Sequence, residues 1–571
     1  VFGVIDADKV EILQELHVKE DIRAKKIIFG PDSSTNNAQI GPTGNIIANN
    51  IQSKGITVTD SAGNNATLTL ASPGASNSLA ANKALVVGGW RQQSYIKAST
   101  DNNDRFGFSV SLSKNTLAVG AIWDDSNLTL ITNGTSSSSN NSSENSGAVY
   151  VYKRNGTSWA QEAYIKAANS DGASSDVYDS GDEFGYSVSI YNDTLAVGTY
   201  KEGSTQTTIT NGQFVTTANK IYEGGAVYVY RRTGTHWAQE AFIKAFNSDQ
   251  YTTWGNQFGW SVSLDNGTLA VGAKSDNSSG SVYVYKRADN NTWAHEAYIR
   301  PAIPTSGARF GYSISLDNNT LAVGSIEEDS NQTTITNGTS ASSNTSNENS
   351  GAVYVYKRAD NSTWAQEAYI KASNNRRDDK WAQSVALDGN TLAVGHWKDA
   401  SNQTTITNDN SSASTNTSSS ESGAVFVYKR TGNNWAQEAY IKAANNDNGD
   451  HFGWSVALEG DILAVGAKRE RSNQTTITNG TSASSNDSNS ESGAVYVYKR
   501  TGNNWAQMAY IKACDNRDGD RFGYSVSLDN GSLAVGAIEE DSNQTTISNG
   551  SCPSNNTSNS DSGAAYVFKM E

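Results

Sequence analysis

The sequence predicts an all-β fold dominated by a seven-bladed β-propeller with four-stranded blades and a one-plus-three closure, preceded by a small β-rich N-terminal segment. Three observations carry this reading. The composition favours strands and turns, a four-part unit recurs seven times, and the series opens on an isolated fourth part and ends on an isolated third.

The 571 residues include 50 Gly, 26 Tyr and 13 Trp beside abundant Asn, Ser and Thr, whereas strong helix formers are scarce. The first part of each unit is an aromatic-Gly pair: Phe106-Gly107, Phe184-Gly185, Phe258-Gly259, Phe310-Gly311, Phe452-Gly453 and Phe522-Gly523, with Trp381-Ala382 as a degenerate copy. The second is Leu-Ala-Val-Gly, starting at Leu117 and six later positions, an apolar run short enough for a strand buried on both faces. The third resembles Gly-Ala-Val-Tyr-Val-Tyr, first at Gly147 and last at Gly563. The fourth begins at Trp90, Trp159, Trp237, Trp293, Trp364, Trp435 and Trp505 and usually continues Ala-Gln-Glu-Ala-Tyr-Ile-Lys-Ala, the alternation of a half-exposed outer strand. A linear solenoid would accommodate the same units. The order of parts favours a ring, because pairing the strand after Trp90 with Gly563–Phe568 removes the open edge that a solenoid leaves.

Phe-Gly, Leu-Ala-Val-Gly-Ala and Ser-Gly-Ala-Val-Tyr-Val-Tyr are similar to the FG-GAP repeats of bacterial surface proteins and of integrin α-subunit propellers, over residues 88–571. The resemblance implies an extracellular propeller that binds proteins or other ligands, commonly with calcium in the hairpin joining the first two strands of some blades. Here those hairpins, such as 316–320 and 458–462, are too short and too poor in carboxylates for a cage of six to eight oxygens. No metal and no cofactor are expected.

Residues 1–87 lack the repeat and form the other expected domain. Ile56–Thr59 and Thr67–Leu70, around Gly63-Asn64, read as a hairpin. So few apolar residues make a thin core, which suggests a stalk or assembly segment with short rungs somewhat like those of phage tail-fibre shafts.

The loop between the second and third parts is long in six units and short in the third, 274–279. In a propeller these loops share one face with the blade-joining connections. Three of them carry nearly the same Ser-Asn-Gln-Thr-Thr-Ile-Thr-Asn-Gly stretch, explained either by tandem duplication or by repeated display of one contact surface or of glycans. Sequons crowd these loops, Asn133, Asn331, Asn337, Asn402, Asn473, Asn479, Asn543 and Asn549 among them as candidate glycan acceptors, although a composition this rich in Asn, Ser and Thr produces many by chance. The two cysteines, Cys514 and Cys552, fall where topology brings a strand end and the next blade's loop to one face, and are expected to form a disulfide in an oxidising compartment.

A formal charge of −15 and the absence of a basic stripe argue against nucleic acid. No stretch of about 18 apolar residues is present to span a membrane. The five His residues show no zinc spacing. Gly107-Phe108-Ser109-Val110-Ser111 departs from the nucleophile elbow at its last position and sits on a repeated strand. Carboxylates before the Phe-Gly pairs, Asp447, Asp450, Asp515, Asp518 and Asp520, read as solvated turn residues, with a weak cation site as the alternative. The expected function is a non-catalytic extracellular or cell-surface recognition or adhesion module, meeting a protein or glycan ligand on the loop face. The alternative is a structural subunit of a filament, appendage or phage-like fibre that self-assembles through residues 1–87.

Overall fold

A computed structural model of the chain describes residues 89–571 except 99–102, 139, 174–179, 214–220, 248–254, 411–412, 551 and 553–557, together with the backbone of eight short strands between Ile5 and Thr59. Two compact units emerge, Val1–Arg91 with Met570–Glu571, and Gln92–Lys569.

In the second unit seven antiparallel sheets form a propeller. Their first strands, from Phe106–Ser113 in blade 1 to Phe522–Asp529 in blade 7, neighbour one another in a closed ring about the axis. The second strands are buried, Thr116–Ala121 along its whole length and Ile462–Ala467 in all but its first residue, as a run that is apolar on both faces requires. Blade 7 closes as the order of parts predicts. Its sheet runs Phe522–Asp529, Ser532–Ala537, Ala564–Met570 and then the strand Trp90–Ile96 from the far end of the chain.

The Phe of each Phe-Gly pair is a wedge between sheets. Phe522 is fully buried, with its ring edge-on to Tyr566 and Phe568 at 5.2 and 6.0 Å. Gly523 follows at φ +89°, where a Cβ would lie 2.5 Å from Ala494 O, so a side chain is excluded on both counts. Trp381 fills the same wedge position in blade 5, buried against Phe426 and Tyr428. The serine two residues after the glycine of each Phe-Gly pair ties adjacent blades. Ser109 Oγ donates to Gly185 O (2.7 Å), and Ser525 Oγ donates to Gly107 O (2.8 Å) across the closure. The apparent nucleophile is therefore a structural strut.

The expectation of four strands per blade holds only for blade 3. The other six sheets carry a short fifth strand on the outer edge of strand 4: Ile131–Asn133, Thr210–Asn211, Ile335–Asn337, Thr407–Asn408, Thr478–Asn479 and Ser548–Asn549. Two or three residues drawn from a polar loop are too few to show a period-2 pattern. Tertiary contacts make them a strand: an adjacent isoleucine, such as Ile335 or Ile406, packs against the core between blades. In blade 3 the short loop is a 3₁₀ turn, Asp276–Ser278.

In the first unit the eight short strands pair in parallel. Ile5–Ala7 pairs with Ile22–Ala24 and that with Ile46–Ala48, Val10–Ile12 with Ile27–Phe29 and that with Ile51–Gln52, and Asn36–Gln39 with Ile56–Thr59. Ile56–Thr59 is thus a strand whose partner is a parallel one. Residues 67–70, its expected hairpin partner, lie outside the described residues.

Candidate functional site: the loop face of the propeller

The long loops and the blade-joining connections meet on one face. Gly519 N donates to Ser490 O and Asp378 N to Glu348 O, both at 2.8 Å. Cys514, just past strand 4 of blade 6, is bonded to Cys552 in the long loop of blade 7, with Cα atoms 5.8 Å apart.

Beneath this face lies a repeated buried ion pair that the sequence reading missed. The lysine ending strand 4 reaches a carboxylate at the start of its own blade's long loop: Lys97–Glu540, Lys166–Asp124, Lys244–Glu202, Lys371–Glu328, Lys442–Asp399 and Lys512–Glu470, at 2.6–3.1 Å. None of these side chains is more than 4% exposed. A serine at the end of the loop completes the pin in most blades, as where Lys512 Nζ donates to Ser492 Oγ (2.9 Å) and Gly493 O (2.6 Å). Burial pushes the Lys512 ammonium down from its usual range while Glu470 opposes that shift. The signal was present in the recurring Ile-Lys-Ala, where a lysine ends a run of inward-facing residues.

The loop stretch is held residue by residue. Gln332 Nε2 donates to Thr334 O and Thr336 Oγ1, both at 2.8 Å, and Gln206, Gln403, Gln474 and Gln544 make the equivalent bonds. The asparagine of the fifth strand then clamps the next blade. Trp435 N donates to Asn337 Oδ1 (2.7 Å) while Asn337 Nδ2 donates to Trp435 O (3.2 Å). Asn133 does this to Trp237, Asn211 to Trp293, Asn408 to Trp505 and Asn549 to Trp159. Much of the repeated sequence is therefore framework rather than contact surface.

The eight loop asparagines named above separate accordingly. Asn331, Asn402, Asn473 and Asn543 are exposed at equivalent loop positions. Asn133, Asn337 and Asn549 commit Nδ2, the atom a glycan would take, to a Trp carbonyl, and Asn479 holds the matching register opposite Ala509. Asn337→Ala removes two bonds across the seam between blades 4 and 5 and is expected to cost about 1–3 kcal/mol in urea unfolding. Asn331→Ala is expected to change stability by less than about 0.5 kcal/mol.

At the loop-face end of the axis, the residue after each aromatic-Gly pair forms an annulus: Phe108, Tyr186, Trp260, Tyr312, Trp454 and Tyr524, interrupted in blade 5 by Gln383. Neighbouring rings stand 4.7–5.7 Å apart. Lys274 Nζ lies 2.9 Å from the Trp260 ring centroid and Lys468 Nζ 2.9 Å from that of Trp454. Both ammonium groups are pushed down to about 7, by burial first and then by Arg309 and Arg521 respectively. The π faces best suited to a ligand cation are thus taken by the chain's own lysines.

The blade-joining carboxylates correct the sequence reading in part. Asp518 is exposed, but Asp450, Asp515 and Asp520 are buried, with Asp450 Oδ1, Asp515 Oδ2 and Asp520 Oδ1 lacking a hydrogen-bond partner. Two of them fold back to order their own loops, Asp450 Oδ2 accepting from Asp447 N (3.1 Å) and Asp520 Oδ2 from Arg517 N (2.9 Å), while Asp515 Oδ1 accepts from the Tyr566 hydroxyl of the next blade (2.6 Å). Burial and Glu470 push Asp450 up to about 8, and burial and Glu540 push Asp515 up to about 7. Among the described residues no group of three or more His, Cys, Asp or Glu is placed to hold a metal ion. His396 and His451 are buried and held below their usual range, to about 4 and about 3, chiefly by desolvation. No helix among the described residues is long and apolar enough to cross a membrane. An open groove of about 720 Å³ lies on the opposite, hairpin face beside Lys114, Tyr191, Asp193, Arg231 and Lys286.

The FG-GAP repeat family matches residues 90–152, 237–285, 293–356, 364–428, 435–498 and 505–568, more than half of the chain. The unit between the first two matches, blade 2, has the same strand order and register. No curated protein matches the chain. Among solved structures, a candidate 6-phosphogluconolactonase from Bacteroides uniformis is 10% identical with a TM-score of 0.38, over 74% of this chain and 89% of its own. A likeness that low carries no argument.

Proposed function

The chain belongs to the FG-GAP repeat family, and from that premise we propose that it is a non-catalytic recognition or adhesion module working outside the cell, with the loop face as its contact surface. The observation that supports this most is the division of labour within the loops. Ser, Gln and Asn side chains lock the framework, so that Asn331, Thr333 and Thr334 and their counterparts are held outward at the same position in successive blades. Weak contacts repeated on a rigid ring gain strength by multivalency. The ligand is a protein or a glycan, and N-linked glycans, where the producing cell makes them, belong on Asn331, Asn402, Asn473 and Asn543. The disulfide fits an oxidising compartment.

The test is retention of the full chain on immobilised glycans and extracellular proteins, beside a variant with Thr333, Thr334, Thr404, Thr405, Thr475 and Thr476 changed to Ala. Retention lost in the variant supports the reading, and equal retention of both removes the loop face from it. The second reading, a fibre subunit assembling through residues 1–87, is favoured by the parallel pairing of the strands between Ile5 and Thr59, an arrangement that grows by adding strands. Electron microscopy separates the two, with discrete particles for the first and head-to-tail polymers for the second.

A further inference from the structure

Blade 3 lacks what every other blade supplies for itself. Its sheet ends at strand 4, Trp293–Ile299, and among the described residues no fifth strand covers that edge. In blade 4 the covering strand pairs Ile335 with Ile370, Thr336 with Tyr369 and Asn337 with Ala368. The corresponding residues of blade 3 are Ile299, Tyr298 and Ala297.

Their burial registers the difference. Ile299 is 6% exposed where Ile165, Ile243, Ile370, Ile441 and Ile511 are at 0%. Tyr298 and Ala297 are half-buried, whereas Tyr369 and Ala368 are fully buried. Among the described residues the core between blades 3 and 4 also lacks the isoleucine that a fifth strand delivers to its neighbours, such as Ile209 between blades 2 and 3 and Ile335 between blades 4 and 5. The tryptophan of that core, Trp364, is only partly buried, where Trp293 and Trp435 are buried in theirs. Among the described residues no asparagine clamps Trp364, while Trp159, Trp237, Trp293, Trp435 and Trp505 are all clamped and 1–2% exposed. Beside the gap stands Phe246, 51% exposed, its ring 5.1 Å from His295 and 5.5 Å from Tyr298. The equivalent positions after other fourth strands are Ala168, Ser373, Ala444 and Cys514.

We propose that the outer edge of blade 3 is an acceptor for an extended Ile-Thr-Asn segment of a partner protein, added antiparallel to Trp293–Ile299 as the missing fifth strand. Six internal occupants define what fits. The isoleucine enters the core between blades 3 and 4 beside Trp364, the threonine faces outward, and the asparagine side chain takes the Trp364 amide and carbonyl. Backbone pairing supplies affinity, and the isoleucine and asparagine sites supply selectivity, as in other strand additions. An uncovered edge flanked by an exposed aromatic is what natural sheets usually avoid unless something pairs with it. The proposal is independent of the loop-face reading, since it concerns a different surface.

The test uses the full chain and a capped peptide of residues 332–338, Gln-Thr-Thr-Ile-Thr-Asn-Gly. Titration followed by tryptophan fluorescence is expected to saturate at one peptide per chain, with amide exchange slowed at Ala297, Tyr298 and Ile299. The same peptide with Asn→Ala, which loses both clamp bonds, is expected to bind roughly tenfold more weakly. No saturation at millimolar peptide, equal binding of the two peptides, or protection elsewhere on the chain overturns the site. A concentration-dependent dimer that the peptide dissociates assigns the edge to a second copy and overturns the separate partner.

Discussion

Replacing Lys512 with methionine is expected to destabilise the propeller by about 3–5 kcal/mol, because it leaves the Glu470 carboxylate buried without its counter-charge. Glu470 is surrounded by groups arranged for an ion: Lys512 Nζ at 2.7 Å, the Tyr510 hydroxyl at 2.8 Å and Ser472 N at 3.1 Å. The pair is 0% and 2% exposed, so water cannot replace the lost partner. Changing both residues, Lys512→Met with Glu470→Leu, is expected to recover most of the loss, since the desolvation of two ions disappears with their attraction. Blade 3 shows that the position tolerates another solution. There Arg300 donates to Ser279 Oγ (3.2 Å), and Asp276 is held instead by the Tyr283 and Tyr298 hydroxyls at 2.9 and 2.7 Å. Urea unfolding of the three proteins decides the matter, and a single-variant loss below about 1 kcal/mol would show that the pin contributes nothing to stability.

The elements legible in the sequence were those whose pattern repeats at the scale of a strand. Phe-Gly, Leu-Ala-Val-Gly and Gly-Ala-Val-Tyr-Val-Tyr announced three strands per blade, and the misplaced strand after Trp90 announced the closure. The fifth strand was not legible. Thr-Ile-Thr-Asn has one apolar residue, and its strand character comes from Ile335 meeting a core and Asn337 meeting Trp435, both formed by residues distant in sequence. Charged residues misled for a related reason. Asp450 in its polar turn reads as solvated and Lys512 drew no reading of its own, yet both are buried because loops that look open in sequence fold back over them. The identical loop stretches looked like candidates for contact, but much of their identity follows from struts and clamps that each blade must repeat. Only the exposed positions between those struts are left free for contact.

Asp450→Asn is expected to stabilise the protein relative to the wild type by an amount that grows with pH. Asp450 is 2% exposed, and its folded carboxyl titrates at about 8, raised by burial first and then by Glu470, with the hydrogen bond from Asp447 N and the charge of Arg471 opposing. An unfolded aspartate titrates near 3.9. Folding therefore takes up a proton between those values. The stability this group contributes is fully present below the unfolded pKa, declines through the window and is lost as pH rises past about 8. Asparagine keeps the acceptor that Asp447 N requires and has no proton to lose. The difference between variant and wild type is expected to increase by about 1.4 kcal/mol per pH unit, or roughly 2–3 kcal/mol from pH 5 to pH 7. His396 and His451 lose charge over part of the same range, but both proteins carry them and their contribution cancels in the difference. Paired urea titrations at pH 5, 6 and 7 measure it. A difference that stays flat with pH would mean that Asp450 keeps its charge when folded, compensated by Arg471 or by water that reaches Oδ1.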